Sequence, residues 1–206
     1  EVCCGMPKLE LGDLKNVEKL KKSNITELSN LARDGWSITT GVPSCTLMFK
    51  QELPLMFPND KDVLAVRDAM CDPFEFLSLQ NKSGLFNKNF EHSLGTIAYH
   101  IPCHLRVQNI GQKTREILEL IPGTKVGVVE RCSGHDGTWG VKAEYFASSM
   151  KIGRPVFRKM AEESPQYISS DCAIASVHIQ QGIEKQTGEV KDKAHPISLL
   201  RKAYGI

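Results

Sequence analysis

Seven cysteines are the feature of this sequence that most restricts what the chain can form. Their number is odd, and 206 residues can bury a core without disulfide staples. Cysteines in such a chain are either small buried apolar residues or, in a reducing compartment, thiolate ligands of a metal. Their positions relative to the predicted strands and helices separate these two interpretations.

Apolar residues follow strand-like and helix-like periods in alternation. The strand-like segments are 36–40, 94–99, 125–129 and 167–170. The helical segments are 14–22, 25–32, 46–57 with an interruption at Pro54, 106–120, 141–152, 155–163, 173–186 and 196–203. Short strands that alternate with longer amphipathic helices predict an α/β fold with short, mainly parallel sheets flanked by helices.

Each predicted strand is followed by one cysteine at its junction with the next helix. The four are Cys45, Cys103, Cys132 and Cys172. Open parallel sheets bind ligands at the carboxyl ends of their strands, and helix N-termini favour thiolates there. Cysteines that only fill a core are not expected to collect at one sheet edge, so we interpret these four as metal ligands. Cys71 falls in a helical stretch without a repeat partner, and we predict a structural role for it.

An internal repeat supports this interpretation. The tripeptide at 3–5, Cys-Cys-Gly, matches Cys-Ser-Gly at 132–134. Cys45 follows the first tripeptide's leading cysteine by 42 positions, and Cys172 follows the second's by 40. The repeat adds Cys3 and Cys4 to the predicted ligands.

The repeat continues downstream and sets the predicted domains. Segment 72–77 matches 195–200, and each contains a proline suited to the first position of a helix. We therefore predict two related cysteine-rich units, residues 1–90 and 91–206.

The first unit is predicted to be truncated at its N-terminus. Cys103 precedes Cys132 by 29 positions in the second unit. A counterpart in the first unit would lie before residue 1. We expect the chain to be part of a longer polypeptide, or to be completed by another chain.

The segments around the second unit's cysteines carry further candidates. His100 and His104 are candidates to ligate a metal or to hydrogen-bond a cluster sulfur, and helix capping or exposure to solvent is the alternative. Arg106 either offsets the negative charge of a thiolate-bound cluster or lies on a helix face. Three glycines in 131–140 indicate a loop wrapped closely around a group, in which His135 is the best ligand without sulfur and Trp139 a shield against water. A phosphate-binding loop is the rival, but no Lys-Ser or Lys-Thr pair follows.

Composition excludes other classes of protein. Charged residues make up 24% of the chain, are interspersed, and leave a net charge of +2, which gives no basis for nucleic-acid binding. No run of about 18 apolar residues is present to span a bilayer.

Together these motifs resemble the family of cysteine-rich CCG-domain proteins, which includes the B subunits of heterodisulfide reductases and the C subunits of anaerobic glycerol-3-phosphate dehydrogenases. The opening Cys-Cys-Gly-Met-Pro, the motifs at 100–106 and 131–140 and the closing His-Pro-Ile-Ser-Leu-Leu are most similar to the glycerol-3-phosphate dehydrogenase branch. The resemblance covers nearly the whole chain.

The resemblance implies an electron-transfer component of an oxidoreductase. It implies iron–sulfur clusters of the 4Fe–4S or noncubane type, an upstream ferredoxin-like region, dehydrogenase or reductase partner subunits and a quinone or disulfide acceptor. It also implies a cytoplasmic location, with peripheral attachment to the inner face of the membrane through partners.

The sequence departs from the family pattern at both sites. The terminal Cys-x-x-Cys is reduced to the single cysteines Cys45 and Cys172, and Ser133 replaces the second cysteine of the second CCG motif. Fewer thiolates favour a 4Fe–4S cluster, or zinc at one site, over a noncubane cluster. Two alternatives stay open: a zinc-binding structural or interaction module, and a thiol–disulfide oxidoreductase that uses Cys3 and Cys4.

Overall fold

The computed structural model describes residues 2–162, 164–190 and 192–206. The chain forms two compact units, Glu1–Phe76 and Leu77–Ile206. The unit boundary lies within a helix, whereas the repeat boundary after residue 90, which stays a prediction, lies in an irregular segment.

The first unit is mostly helical. Its elements are α1 Met6–Glu10, α2 Leu14–Arg33, β1 Ile38–Thr39, α3 Pro43–Leu47, a π-helical turn Met48–Glu52, α4 Leu53–Met56, α5 Lys61–Ala69 and β2 Met70–Cys71. Helix α6, Pro73–Lys82, begins in this unit and ends in the second. Strands β1 and β2 are parallel, with Ile38 opposite Met70. The core beneath them contains Val17, Met48, Leu53 and Val63, all fully buried.

Helix α2 is continuous where the apolar pattern predicted two helices. The pattern is broken by Asn24, a polar residue on the buried face. Its side chain accepts a hydrogen bond from the Val2 N–H and donates one to the Cys3 carbonyl, at 3.0 and 3.1 Å. Asn24 fixes the start of the CCG motif, and because it is polar it interrupts the apolar pattern. One continuous helix was therefore predicted as two.

The helix predicted over 46–57 is interrupted near Pro54, as expected, by the π-helical turn Met48–Glu52 that precedes the proline. Proline lacks the N–H that a regular helix would use, and a local i→i+5 turn is a common adjustment. The predicted start of helices at Pro73 and Pro196 is also confirmed, since α6 begins at the first and α11 at the second.

The second unit is an α/β layer structure. Its elements are β3 Thr96–His100, α7 Cys103–Arg106, α8 Lys113–Leu118, β4 Lys125–Val129, a 3₁₀ turn Trp139–Val141, α9 Ala143–Ala161, β5 Tyr167–Ser170, α10 Ala173–Thr187, β6 Asp192–Ala194 and α11 Pro196–Ala203. The strands are all parallel in the order β4-β3-β5-β6. Phe157 and Met160 of α9 pack with Ile179 of α10 against Ile168 of β5. The predicted fold class is confirmed.

Two helical predictions in this unit differ from the structure. The stretch 106–120 is helical only at Arg106, the last residue of α7, and over α8, because the chain between them turns at Asn109 and Gly111, which adopt positive φ, 54° and 80°. Segments 141–152 and 155–163 instead form one helix, α9, although Glu163 lies outside the described residues. Pro155 is tolerated inside α9 because it removes only the bond to the carbonyl of Lys151, an exposed residue.

Two strands were missed. β2 has two residues and directly follows α5, so it shows no alternation. β6 lies at the sheet edge and reads Asp-Lys-Ala, which carries no apolar signal. Cys71 consequently lies on a strand and not on the predicted helix. Across the described parts of the chain, none of the helices combines the length and hydropathy that a bilayer crossing requires.

Candidate metal centre

Three cysteines of the second unit lie just after the carboxyl ends of neighbouring strands. His100 at the end of β3 lies opposite Val129 of β4 and Ser170 of β5. The chain then reaches Cys103, the first residue of α7, Cys132 in the loop after β4, and Cys172, the N-cap of α10. Because all strands are parallel, these junctions share the carboxyl edge, where ligands of such sheets bind.

Cys103 and Cys132 form the first contacting pair. Their side chains are hydrogen-bonded, and both residues are exposed. Partial burial of its sulfur raises the pKa of the Cys103 thiol, and the neighbouring Cys132 raises it further. The Arg106 guanidinium acts on Cys103 in the opposite direction. Arg106 is thus placed to offset negative charge at this thiol, as one of its two sequence interpretations expects.

His135 and Cys172 form the second pair. The imidazole Nε2 lies 3.9 Å from the Cys172 sulfur, while Nδ1 is hydrogen-bonded to the Ser133 hydroxyl at 2.9 Å. Burial lowers the pKa of His135, and so does the nearby His178. A neutral imidazole with one nitrogen held and the other facing a thiol has the form of a metal-ligating histidine.

The other aromatic candidates lie near this pair. Trp139 is half-buried and stacks on Tyr145, with ring centroids 5.2 Å apart. His104 is half-buried, and its charged form would lower the pKa of His135. Cofactor contacts of both residues stay predictions.

His100 differs from the sequence interpretation. It is buried, with Nδ1 3.2 Å from the Ser170 hydroxyl and Nε2 2.8 Å from the Arg131 carbonyl. Burial lowers the pKa of His100 to about 4. Both ring nitrogens are used inside the protein, so His100 joins strand ends beneath the edge and is neither a ligand, a helix cap nor an exposed residue.

A buried carboxyl group next to Cys172 was missed from the sequence. Asp171 accepts hydrogen bonds from the hydroxyls of Tyr99 and Thr114, and its carbonyl lies 3.2 Å from the His195 Nε2. Burial raises the pKa of Asp171 to about 6. Its only sequence signal is its position between a strand and a candidate ligand. It braces the turn that presents Cys172.

The first unit contains a separate group of thiols. Cys4 is buried in the core, whereas Cys45 is half-buried and lies within α3, one turn further into the helix than predicted. Their side chains are hydrogen-bonded to each other. This bond raises the pKa of Cys4, together with burial, and lowers the pKa of Cys45 to about 7. Cys3 is exposed and is hydrogen-bonded to Cys4.

Gly5 completes this turn with φ 100°, a conformation that glycine adopts without strain. Cys71 does not belong to this group of thiols. Its sulfur contacts the Ile38 carbonyl at 3.7 Å, and burial raises the pKa of Cys71 to about 11.

A comparison with protein families decides the relationship. Residues 1–50 and 97–180 match the cysteine-rich domain called CCG, which is more than half of the chain. The chain belongs to the CCG cysteine-rich domain family. The two matched segments contain both groups of thiols described above, and the resemblance seen in the motifs is confirmed.

Individual relatives agree with the family. The chain is 26% identical over 208 residues to the C subunit of the anaerobic glycerol-3-phosphate dehydrogenase of Escherichia coli (strain K12), covering 98% of this chain and 50% of that one. It is 26% identical over 210 residues to the B subunit of the fumarate reductase (CoM/CoB) of Methanothermobacter marburgensis, covering 99% and 39%. Lactate utilization protein A of Lysinibacillus sphaericus matches at 24% over 155 residues, covering 73% and 66%. The chain spans about half the length, or less, of the first two relatives.

The donor atoms fit a thiolate-bound metal group. In the first unit, Cys4 contacts both Cys3 and Cys45. In the second unit the donors form two pairs, Cys103 with Cys132 and His135 with Cys172. Within the described residues, no group of three or more His, Cys, Asp or Glu side chains converges as the ligands of a single metal ion do. In an iron–sulfur cluster the protein ligands bind different iron atoms, so convergence on one point is not required.

Proposed function

We propose that this chain is the CCG part of an iron–sulfur electron-transfer subunit, with a cluster held at the sheet edge of the second unit. The observation that carries the proposal is the position of Cys103, Cys132 and Cys172, each two or three residues after the end of one of three neighbouring parallel strands. Two relatives are named as subunits of a dehydrogenase and a reductase, which supports a redox role.

The chain's own residues would hold and tune the bound group. An iron–sulfur cluster, when bound, exchanges single electrons. Cys103, Cys132 and Cys172 would hold it as thiolates, with His135 as a fourth donor. Arg106 supplies positive charge next to Cys103, and the stacked Trp139 limits access of water. A 4Fe–4S cluster suits this number of thiolates.

Cys3, Cys4 and Cys45 form the second proposed ligand group. They would form a metal site of the same kind, with one protein donor fewer than the second unit.

Two relatives are named as subunits of larger enzymes, which supports partner subunits for this chain. The proposal places the chain in a complex with dehydrogenase or reductase subunits, fed through an upstream ferredoxin-like region, with a quinone or disulfide as acceptor. Attachment to the inner face of the membrane would occur through those partner subunits.

The test is anaerobic purification of the chain with analysis of iron, acid-labile sulfide and zinc, followed by electron paramagnetic resonance of the reduced protein. We expect a brown protein with iron and sulfide in equal amounts and a signal on reduction. Cys103→Ser, Cys132→Ser and Cys172→Ser should each lose or alter that signal.

Cys71→Ala is the matched control, because the half-buried thiol of Cys71 contacts the Ile38 carbonyl and not another cysteine. It should retain iron and the signal. A colourless anaerobic preparation without iron would overturn the proposal, and zinc as the sole metal would favour the structural module instead.

A second function is favoured by the contact between Cys4 and Cys45. Thiol–disulfide exchange by Cys3 and Cys4 is one of the two alternatives left open by the sequence, and adjacent cysteines bridge only with strain. The contact between Cys4 and Cys45 offers a different pair for this chemistry. The Cys45 thiolate would attack a substrate disulfide, displacing one thiol, and Cys4 would then attack the mixed disulfide, displacing the second. The two protons of the dithiol pass to the two product thiols. Mass spectrometry after treatment with a small disulfide should show a Cys4–Cys45 linkage, and finding only mixed adducts would exclude this function.

A further inference from the structure

Ser133 occupies the position that Cys4 holds in the first unit. Both follow the first cysteine of a CCG-type motif and precede its glycine, and both side chains are buried. The thiol of Cys4 contacts another cysteine, whereas the hydroxyl of Ser133 contacts the imidazole of His135, two residues further on. At this position the second unit therefore has a hydroxyl bonded to a histidine, whereas the first unit has a thiol bonded to a cysteine.

The hydrogen bond fixes the direction in which the imidazole presents its other nitrogen. Ser133 holds Nδ1 at 2.9 Å, and Nε2 then faces the sulfur of Cys172 at 3.9 Å. Histidines that ligate metals generally have their second nitrogen hydrogen-bonded in this manner, which sets the tautomer and the ring orientation.

The loop that carries both residues is packed too closely to move freely. Gly134 has φ 88°, and a Cβ there would overlap the Ser149 carbonyl of α9. Conversely, a Cβ on Gly153 of α9 would overlap the Ser133 carbonyl of the loop. The Gly140 N–H donates to the His135 carbonyl at 2.7 Å, which fixes the backbone of the histidine.

We propose that Ser133 is a positioning residue that aims the His135 Nε2 at the cluster edge, so that an imidazole replaces the thiolate this motif lacks. The inference rests on the proposed function, because it requires a cluster at this edge.

Mixed ligation has an electronic consequence. An imidazole is neutral where a thiolate is negative, so replacing one thiolate makes a cluster easier to reduce. Iron–sulfur centres in which histidines replace cysteines have higher reduction potentials for this reason. The second unit's cluster is therefore expected to have a higher potential than the same cluster with four thiolates.

The test combines a nitrogen-sensitive spectrum with a redox titration of the anaerobically purified chain. Pulsed electron paramagnetic resonance of chain labelled with ¹⁵N-histidine should show one strongly coupled histidine nitrogen. His135→Ala should remove the coupling, and Ser133→Ala should weaken or broaden it while iron is retained. Ser133→Cys, which restores the family motif, should remove the coupling and lower the midpoint potential.

Ser148→Ala, on the exposed face of α9, is the matched serine control and should leave spectrum and potential unchanged. A cluster with no histidine coupling in the parent chain would overturn this inference and leave the proposed function standing. The same holds if Ser133→Ala and Ser133→Cys both match the parent chain in coupling and potential. Absence of iron altogether would overturn the proposed function itself, and this inference with it.

Discussion

The side chains of Cys4 and Cys45 are hydrogen-bonded to each other in the first unit, although 40 residues lie between them in the sequence. The hydrogen bond that the buried Cys4 thiol donates lowers the pKa of Cys45 to about 7, and this bond together with burial raises the pKa of Cys4. One residue of the pair is thereby a stabilised thiolate, and the other is a poor one.

This relationship predicts the reactivity of Cys45 in the metal-free chain. Its alkylation rate by iodoacetamide should rise with pH around an apparent pKa of about 7. Cys4→Ala removes the donor, so the pKa of Cys45 should move up towards that of an ordinary thiol and its rate at pH 7.5 should fall severalfold. Mass spectrometry of the alkylated peptides measures both.

Cys71 is an internal reference in the same samples, because burial raises its pKa to about 11 and it should stay unmodified at this pH. An unchanged Cys45 profile in Cys4→Ala would contradict the role given to the hydrogen bond.

The parallel direction of the strands made part of the site predictable from sequence. Cys103, Cys132 and Cys172 each follow an apolar strand, and parallel strands bring their carboxyl ends to one edge. The apolar period reports burial, and burial was enough to find β3, β4 and β5. It failed for β6, an edge strand of polar residues, since such a strand has little apolar side chain to bury.

Contacts between side chains distant in sequence were not predictable in this way. Whether His100 at a strand end is buried depends on which loops cover it, and the sequence does not encode that locally. Asn24 was likewise interpreted as a break between two helices, because its hydrogen-bond partners, Val2 and Cys3, lie 22 and 21 residues away in the sequence. These residues fix the segments that carry the candidate cysteines, and only their three-dimensional neighbours reveal it.

Asn24 leads to a prediction about the first unit. Asn24→Ala leaves the Val2 N–H and the Cys3 carbonyl without their partner, which should destabilise the unit by about 1–3 kcal/mol. Hydrogen exchange of the CCG segment should also accelerate. Asn30→Ala, exposed on the same helix, should change the free energy of unfolding by less than about 0.5 kcal/mol. Equal effects of the two substitutions would refute the bridging role.

The buried carboxyl of Asp171 predicts how stability depends on pH. Its folded-state pKa, about 6, lies above that of an unfolded aspartate, so the folded chain binds more protons between the two values. Its contribution to stability is therefore present below the unfolded pKa and is lost as the pH rises past about 6. Asp171→Asn should flatten this part of the pH profile by roughly 1–3 kcal/mol, measured by urea unfolding of the metal-free chain.

Asp192→Asn, at an exposed position of β6, is the control for Asp171 and should keep the parent profile. A profile for Asp171→Asn that still falls between pH 4 and 7 would assign the pH dependence to another group.

The packing of the loop against α9 gives the sharpest mutational test, because the chain offers two glycines with similar backbone angles and different surroundings. Gly134 and Gly188 have φ 88° and 74°, but a Cβ on Gly134 would overlap α9, whereas nothing lies within 4 Å of one on Gly188. Gly188→Ala should therefore cost only the backbone strain, about 1 kcal/mol. Gly134→Ala adds the overlap, for a total above roughly 3 kcal/mol, and displaces Ser133 and His135. Thermal unfolding and iron content measure the two effects. If Gly134→Ala matches Gly188→Ala in both, the loop does not depend on its contact with α9.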